Sequence, residues 1–234
     1  MMELSQDLTI HKSLLHTSYP LDISLFAAEG ERMKEYATPS RARVGQKGWQ
    51  PVESGLMVST YHYFANSDSE PRPPREIEDG INQMITELHL DNVERSSPRY
   101  YYLPGGRYLP NYACDNTTCT INFLLSPQYH SVKIGGEIDG TVDGGEDVMY
   151  SQGVLDTTKV HGVDNREFND ERVLLKIGIL HTSFRSVCNL IPDKYKYVTT
   201  TAKFFTRDGL LCEARSITVS LSLSGERKKV RTVH

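Results

Sequence analysis

The step Pro104-Gly105-Gly106 constrains this chain more than any other three residues. It follows Tyr100-Tyr101-Tyr102-Leu103 and precedes Arg107-Tyr108. Proline presets φ and glycine accepts positive φ without steric cost, so the chain is expected to turn here. Downstream, residues 120–127 and 132–137 are two strand-like runs joined by a short polar link. The apolar run 121–125, bounded by turn residues, predicts a buried strand. A sharp turn flanked by tyrosines and followed by strands commits the middle of the chain to sheet.

The flanks extend this pattern. Asp22 or Ser24 can cap a helix over residues 25–36, in which Leu25, Phe26, Glu29, Met33 and Tyr36 fall at helical spacing. Gly30 weakens that helix by about 1 kcal/mol relative to alanine. Residues 39–48 form a basic, glycine-bearing connector ending at Trp49, the single tryptophan. Such a link can grip phosphate, with Arg41, Arg43 and Lys47 as candidates, but a solvated loop with one anchoring ring is the commoner use. Residues 56–64 read as a strand. Residues 76–90 read as the best helix, with Ile77, Ile81, Met84, Ile85 and Leu88 on one stripe and Glu76, Glu78 and Asp79 in its first turn. Residues 139–147, rich in glycine and acids, lack EF-hand spacing and read as turns. Residues 173–180 are a core strand. Residues 195–205 and 210–223 form a hairpin across Asp208-Gly209. The whole reads as one domain over 1–234: an N-terminal arm or helix and connector in 1–50, and a sandwich core in 51–234 carrying the helix at about 76–90. The class is α+β, mainly β, an antiparallel sandwich with helices attached to its N-terminal half.

Composition narrows the function. The net charge of −4 offers no basic field for nucleic acid or an anionic membrane. No apolar run has the length of a membrane span, and the first residues lack the apolar core of a signal peptide. A cytosolic protein with reduced thiols is expected, so the sequon at Asn116 is silent. Cys114 and Cys119 have the spacing of half a zinc site, but Cys188 and Cys212 stand far apart.

Two function classes remain. Residues 101–179 have the outline of an iron/2-oxoglutarate oxygenase: a Tyr-x-Pro-Gly step, Asp115, Gly135-Gly136-Glu137, His161-Gly162-Val163 and Arg172. That chemistry needs two histidines and a carboxylate around one metal. The first histidine is expected two residues before Asp115, where the chain has Ala113. His62, His130 and His181 read as structural or surface residues.

The second class rests on a resemblance. The segments 58–64, the acid-started helix 76–90, Tyr101-Tyr102-x-Pro104-Gly105-Gly106, residues 121–127 and residues 131–134 resemble a cypovirus polyhedrin in order and spacing. The resemblance covers about residues 54–135. It implies a β-sandwich with an N-terminal projecting helix or arm and one or two further helices. It also implies a non-enzymatic matrix protein, trimers packed into crystals in the host cytoplasm, and embedded virions. No cofactor would be required, although nucleotide triphosphates can sit at subunit contacts. Alkaline dissolution has an independent physical account: losing eleven lysine charges takes the net charge from −4 to −15, and ionising thirteen tyrosines takes it to −28. Tyr100, Tyr101, Tyr102, Tyr108 and Tyr112 are the expected pH-responsive packing residues on this reading.

Overall fold

The computed structural model describes residues 12–43, 49–51, 54–61, 71–114, 117–126, 131–205 and 211–220. The side chains of 41–43, 49–51 and 197–220 fall outside that description. Its elements are β1 (Leu14–His16), α1 (Ile23–Met33), β2 (Thr38–Pro39), β3 (Arg41–Arg43), β4 (Trp49–Pro51), β5 (Met57–Thr60), α2 (Arg75–Glu87), β6 (Arg99–Leu103) and β7 (Tyr108–Tyr112). They continue with β8 (Cys119–Leu124), β9 (Ser131–Ile134), β10 (Glu146–Met149), β11 (Gln152–Leu155), β12 (His161–Asp164), β13 (Arg172–Ile179), α3 (Phe184–Leu190), β14 (Tyr197–Phe205) and β15 (Leu211–Ser220).

Two antiparallel sheets dominate. The larger runs β1-β11-β8-β13-β6-β5-β2 and the smaller β10-β9-β12-β7. The eight strands from β6 to β13 divide equally between them, and β6, β7, β8 and β9 alternate sheets. Two four-stranded layers woven from eight strands in this way form a jelly roll. The Pro104-Gly105-Gly106 turn is therefore not a hairpin within one sheet. It carries the chain from β6 in the larger sheet to β7 in the smaller. Gly106 adopts φ +71°, and its N–H donates to the carbonyls of Asn165 and Phe168 at 3.1 and 2.9 Å. A Cβ on Gly105 would lie 2.1 Å from the Asn169 carbonyl oxygen, so only glycine fits there.

β13 lies at the centre of the larger sheet, between β8 and β6. Strand side chains alternate between faces. Val173, Leu175, Ile177 and Ile179 join the main core with Phe26 and Met33 of α1 and with Ile77, Ile81, Met84 and Ile85 of α2. Both helices thus pack on the outer face of this sheet. The α2 stripe is buried as its spacing predicts, and Leu88 is buried just beyond the helix. Asp22 caps α1, its Oδ1 accepting from the Leu25 N–H at 3.0 Å.

α1 lies on the sheet, and a projecting helix is not shown among the described residues. Gly30 has a positive reason for being there, because a Cβ would press to 3.3 Å from the Tyr100 ring. The Tyr102 hydroxyl donates to the Gly30 carbonyl at 2.7 Å. Beside it, Tyr61 donates to Glu29 Oε1 at 2.7 Å and sits 3.2 Å from the Tyr100 hydroxyl. One hydroxyl carries one proton, so Tyr100 supplies the proton of that second bond. Glu29 is only 6% exposed and also receives Arg32 at 2.8 and 2.7 Å. The buried carboxylate is thereby paired and hydrogen-bonded, as burial requires.

β14 and β15 pair antiparallel as expected, with a register shift between Thr200 and Ala202, while the expected turn across Asp208-Gly209 lies outside the described residues. Among the described residues no helix is long and apolar enough to cross a membrane.

Replacing Gly105 with alanine should destabilise the fold by about 1–3 kcal/mol through overpacking against the Asn169 backbone. Urea denaturation measures this, and a change within about 0.5 kcal/mol would contradict the crossing-turn geometry. Tyr61→Phe removes a donor from Glu29 and should cost about 1–3 kcal/mol by the same measurement.

Candidate functional site

The inner face of the larger sheet differs from its outer face. Arg172, Leu174 and Lys176 of β13, Tyr101 and Leu103 of β6, Asn122 of β8 and Leu155 of β11 line a cavity of about 50 Å³ between the sheets. The smaller sheet closes it with Leu109 and Tyr112 of β7, Val132 of β9, and His161 and Val163 of β12, while Leu56 and Tyr150 complete the wall. The space is several times the roughly 10–15 Å³ needed for one water.

The polar groups here are built in. Arg172 is 4% exposed, and its Nη2 donates to the Tyr150 hydroxyl at 3.0 Å. Asn122 Nδ2 reaches the same hydroxyl at 3.5 Å. Lys176 is directly opposite Asn122 in the sheet register, and its Nζ lies 5.2 Å from the centre of the Tyr101 ring. Three buried polar atoms of the lining have no hydrogen-bond partner among the described residues: Asn122 Oδ1, His161 Nε2 and Arg172 Nε. Neither Arg172 nor Lys176 forms an ion pair with a described carboxylate, and the lining contains no acid. Two cations without a counter-ion in a partly dry cavity set up a positive potential that water screens poorly.

His161 has a defined tautomer. Its Nδ1 is 2.8 Å from the Lys159 carbonyl oxygen. A carbonyl only accepts, so Nδ1 carries the proton and Nε2 offers its lone pair. Burial pushes the His161 pKa down to about 4, and the Lys159 carbonyl bond opposes this only in part. The imidazole is therefore neutral at pH 7. Tyr112, its cross-strand partner, packs against it with ring centres 4.3 Å apart. Burial raises the Tyr112 phenol above its ordinary range.

A two-histidine-one-carboxylate iron site needs three donors on one side of the metal. Among the described residues no three His, Cys, Asp or Glu side chains come together in such a group. His161 alone is a competent donor, its far nitrogen held by a carbonyl as metal-binding histidines usually are. Ala113 offers only a methyl, the residue facing His161 is the phenol of Tyr112, and Asp115 lies outside the described residues. Asn111, one residue earlier, turns away from the cavity and donates to the carbonyls of Glu137 and Asp143 at 3.2 and 3.1 Å. The described residues do not fit an iron site of that kind.

The five tyrosines of the sequence reading separate. Tyr100 and Tyr102 are fully buried on the helix-facing side, Tyr101 and Tyr112 line the cavity, and Tyr108 is half-buried beside Arg166, 5.2 Å from its ring centre. Arg41 and Arg43 lie on β3 with their side chains outside the described set, and Lys47 is wholly outside it. The structure brings His161 and Arg172 together and adds Asn122, Tyr150 and Lys176, which the sequence reading missed. Lys176 and Asn122 left a signal: each is a polar residue inside an apolar strand run. Tyr150 left none.

No family model matches this sequence, and no curated protein matches it. Solved structures do align. A prolyl hydroxylase from Trichoplax adhaerens, in complex with a peptide of the hypoxia inducible factor oxygen degradation domain, is 10% identical with a TM-score of 0.46. The alignment covers 71% of this chain and 82% of that one. A prolyl-4-hydroxylase from Pseudomonas putida is 16% identical over 72% of this chain and 92% of its own, with a TM-score of 0.44. An oxidoreductase of the 2OG-Fe(II) oxygenase family from Burkholderia pseudomallei is 10% identical over 69% and 79%, with a TM-score of 0.42. At these values none of the likenesses assigns an activity to this chain. None of the three is described as a cypovirus polyhedrin. The resemblance to that family, the occlusion-matrix function, the non-enzyme assignment and the expectation that no cofactor is required are withdrawn, since the aligned structures are oxygenases.

The neutral His161 has a measurable consequence. Its folded pKa of about 4 lies below the unfolded value of about 6.5, so its stabilising contribution is complete above pH 6.5 and lost as pH falls toward 4. Wild type should lose about 3 kcal/mol more than His161→Gln across that window. Denaturant midpoints at pH 7, 5.5 and 4 measure it, and parallel losses in both proteins would contradict the buried neutral imidazole.

Proposed function

We propose that this chain is an iron/2-oxoglutarate oxygenase-like protein, degenerate at the metal because Ala113 replaces the first metal histidine, whose jelly-roll cavity takes a small oxo acid or dicarboxylate, with Arg172 as the anchor. The observation that carries this reading is the pair of inward cations, Arg172 and Lys176, facing a cavity whose lining holds no acid. The order of Tyr102-x-Pro104-Gly105, His161 and Arg172 along the chain supports it, as does the convergence of His161 and Arg172 on one cavity.

The chemistry of recognition follows from the groups present. A guanidinium presents a planar fork of donors that matches a carboxylate, and it stays charged at any relevant pH. Arg172 Nη2 is held by Tyr150, which fixes the plane of the fork, while Nε has no described partner and is free to donate. Asn122 offers an acceptor oxygen, and His161 offers an acceptor nitrogen suited to a hydroxyl, a water or a metal ion. Apolar side chains from both sheets, among them Leu103, Leu109, Val132, Leu155 and Leu174, enclose the remainder of the ligand and exclude water. 2-Oxoglutarate, abbreviated in the description of one aligned oxygenase family, carries the carboxylates that such cations would pair with.

Thermal unfolding of the purified protein tests this reading. The melting temperature should climb with the logarithm of 2-oxoglutarate or succinate concentration, as mass action requires for a ligand of the native state. Arg172→Met should shift the half-effective concentration upward by tenfold or more, because a charged hydrogen-bonded anchor is worth about 1.5–3 kcal/mol. No change in melting temperature up to about 10 mM of either acid would end this reading.

A further inference from the structure

Lys176 is not needed to anchor a single carboxylate, yet it faces the same cavity as Arg172 from four residues along the same strand. Residues four apart on a strand point to one face, with Cα atoms about 13 Å apart. The two cationic side chains therefore enter from well-separated positions on one wall. Asn122 and Tyr101 flank Lys176, the first opposite it in register and the second beneath its ammonium. Arg99, exposed at the end of β6, is also opposite Lys176 in the register with β13 and adds positive charge there. No described carboxylate pairs with Lys176. An ammonium held off an aromatic face in a half-buried wall is stabilised by that ring, but its donors still need acceptors.

We infer that Lys176 is a second anion anchor, one that selects ligands carrying two separated negative groups over otherwise equal ligands carrying one. The inference rests on the proposal that the cavity takes a carboxylate at Arg172. It assigns Lys176 a positioning role: Arg172 holds one end of a short diacid, Lys176 with Asn122 receives the other, and the apolar wall between them fits the carbon chain. His161 stays neutral beside the Lys176 ammonium and adds no positive charge of its own. A monoacid of the same length would leave Lys176 unpaired and gain only one anchor.

Calorimetric titration separates the two levels of this account. The probes are 2-oxoglutarate and 2-oxopentanoate, equal in chain length and differing in the second carboxylate. Wild type should bind 2-oxoglutarate at least tenfold more tightly than 2-oxopentanoate. Lys176→Met, which keeps most of the packing stem, should erase that preference while leaving 2-oxopentanoate affinity within about twofold, and Lys176→Arg should restore most of it. Lys176→Gln supplies a second neutral variant if the methionine variant fails to fold. Arg172→Met should weaken both acids together. Equal weakening of both acids by Lys176→Met or Lys176→Gln, or an unchanged preference, would overturn the role of Lys176 while leaving Arg172 as anchor. A wild type that binds neither acid would overturn the carboxylate reading beneath it and this inference with it.

Discussion

β13 imposes the constraint on which the rest depends. It is paired on both edges and covered on both faces, so each of its side chains meets a different environment from its neighbours in sequence. Val173, Leu175 and Ile177 close the core under α1 and α2, where burial of each large aliphatic side chain is worth about 1.5–3 kcal/mol. Arg172, Leu174 and Lys176 look the other way, into the space between the sheets. A one-residue slip would put the two cations into the helix-facing core and the aliphatics into the polar cavity. The cross-strand partners fix the register: Leu175 lies opposite both Tyr100 and Phe123, and Lys176 lies opposite Asn122.

The two faces solve the burial of polar groups differently. On the helix side the phenols of Tyr61, Tyr100 and Tyr102 find partners inside the chain. Tyr102 reaches Gly30, Tyr61 reaches Glu29, and Tyr100 completes the chain of hydroxyls, so that layer is satisfied and rigid. Burial pushes the Tyr102 phenol up to about 12 against the opposing bond from Ser59, so it keeps its proton well above neutral pH. On the cavity side the chain leaves Arg172 Nε, Asn122 Oδ1 and His161 Nε2 without described partners. Buried polar atoms left open cost about 1–3 kcal/mol each, and a fold tolerates that where something else completes them. The contrast within one sheet is the physical reason to place binding between the sheets and stability beneath the helices.

Much of the fold was legible. The α2 stripe, the Asp22 cap, the strands around residues 121–125 and 173–179 and the β14–β15 pair all follow from periodicity and turn chemistry. The Pro104-Gly105-Gly106 turn was legible as a turn but not as a crossing between sheets. Its cause is the backbone of Asn165 to Asn169, some sixty residues away, which no local pattern reveals. The tyrosine cluster divides for a related reason. Tyr100 and Tyr102 alternate with Tyr101 across the sheet, so neighbours in sequence serve opposite layers. The site was half visible. His161 and Arg172 stood out by spacing, while Lys176 and Asn122 were hidden inside strands read for their apolar residues, and Tyr150 enters from a turn with no signature.

The account stands on the cavity between the sheets being an anion site completed by ligand. The most direct measurement is a crystal structure of the protein grown with saturating 2-oxoglutarate. The account predicts density for the acid between the sheets, with one carboxylate in hydrogen-bond distance of the Arg172 guanidinium. An empty cavity, or an acid bound only on the outer surface, would contradict it.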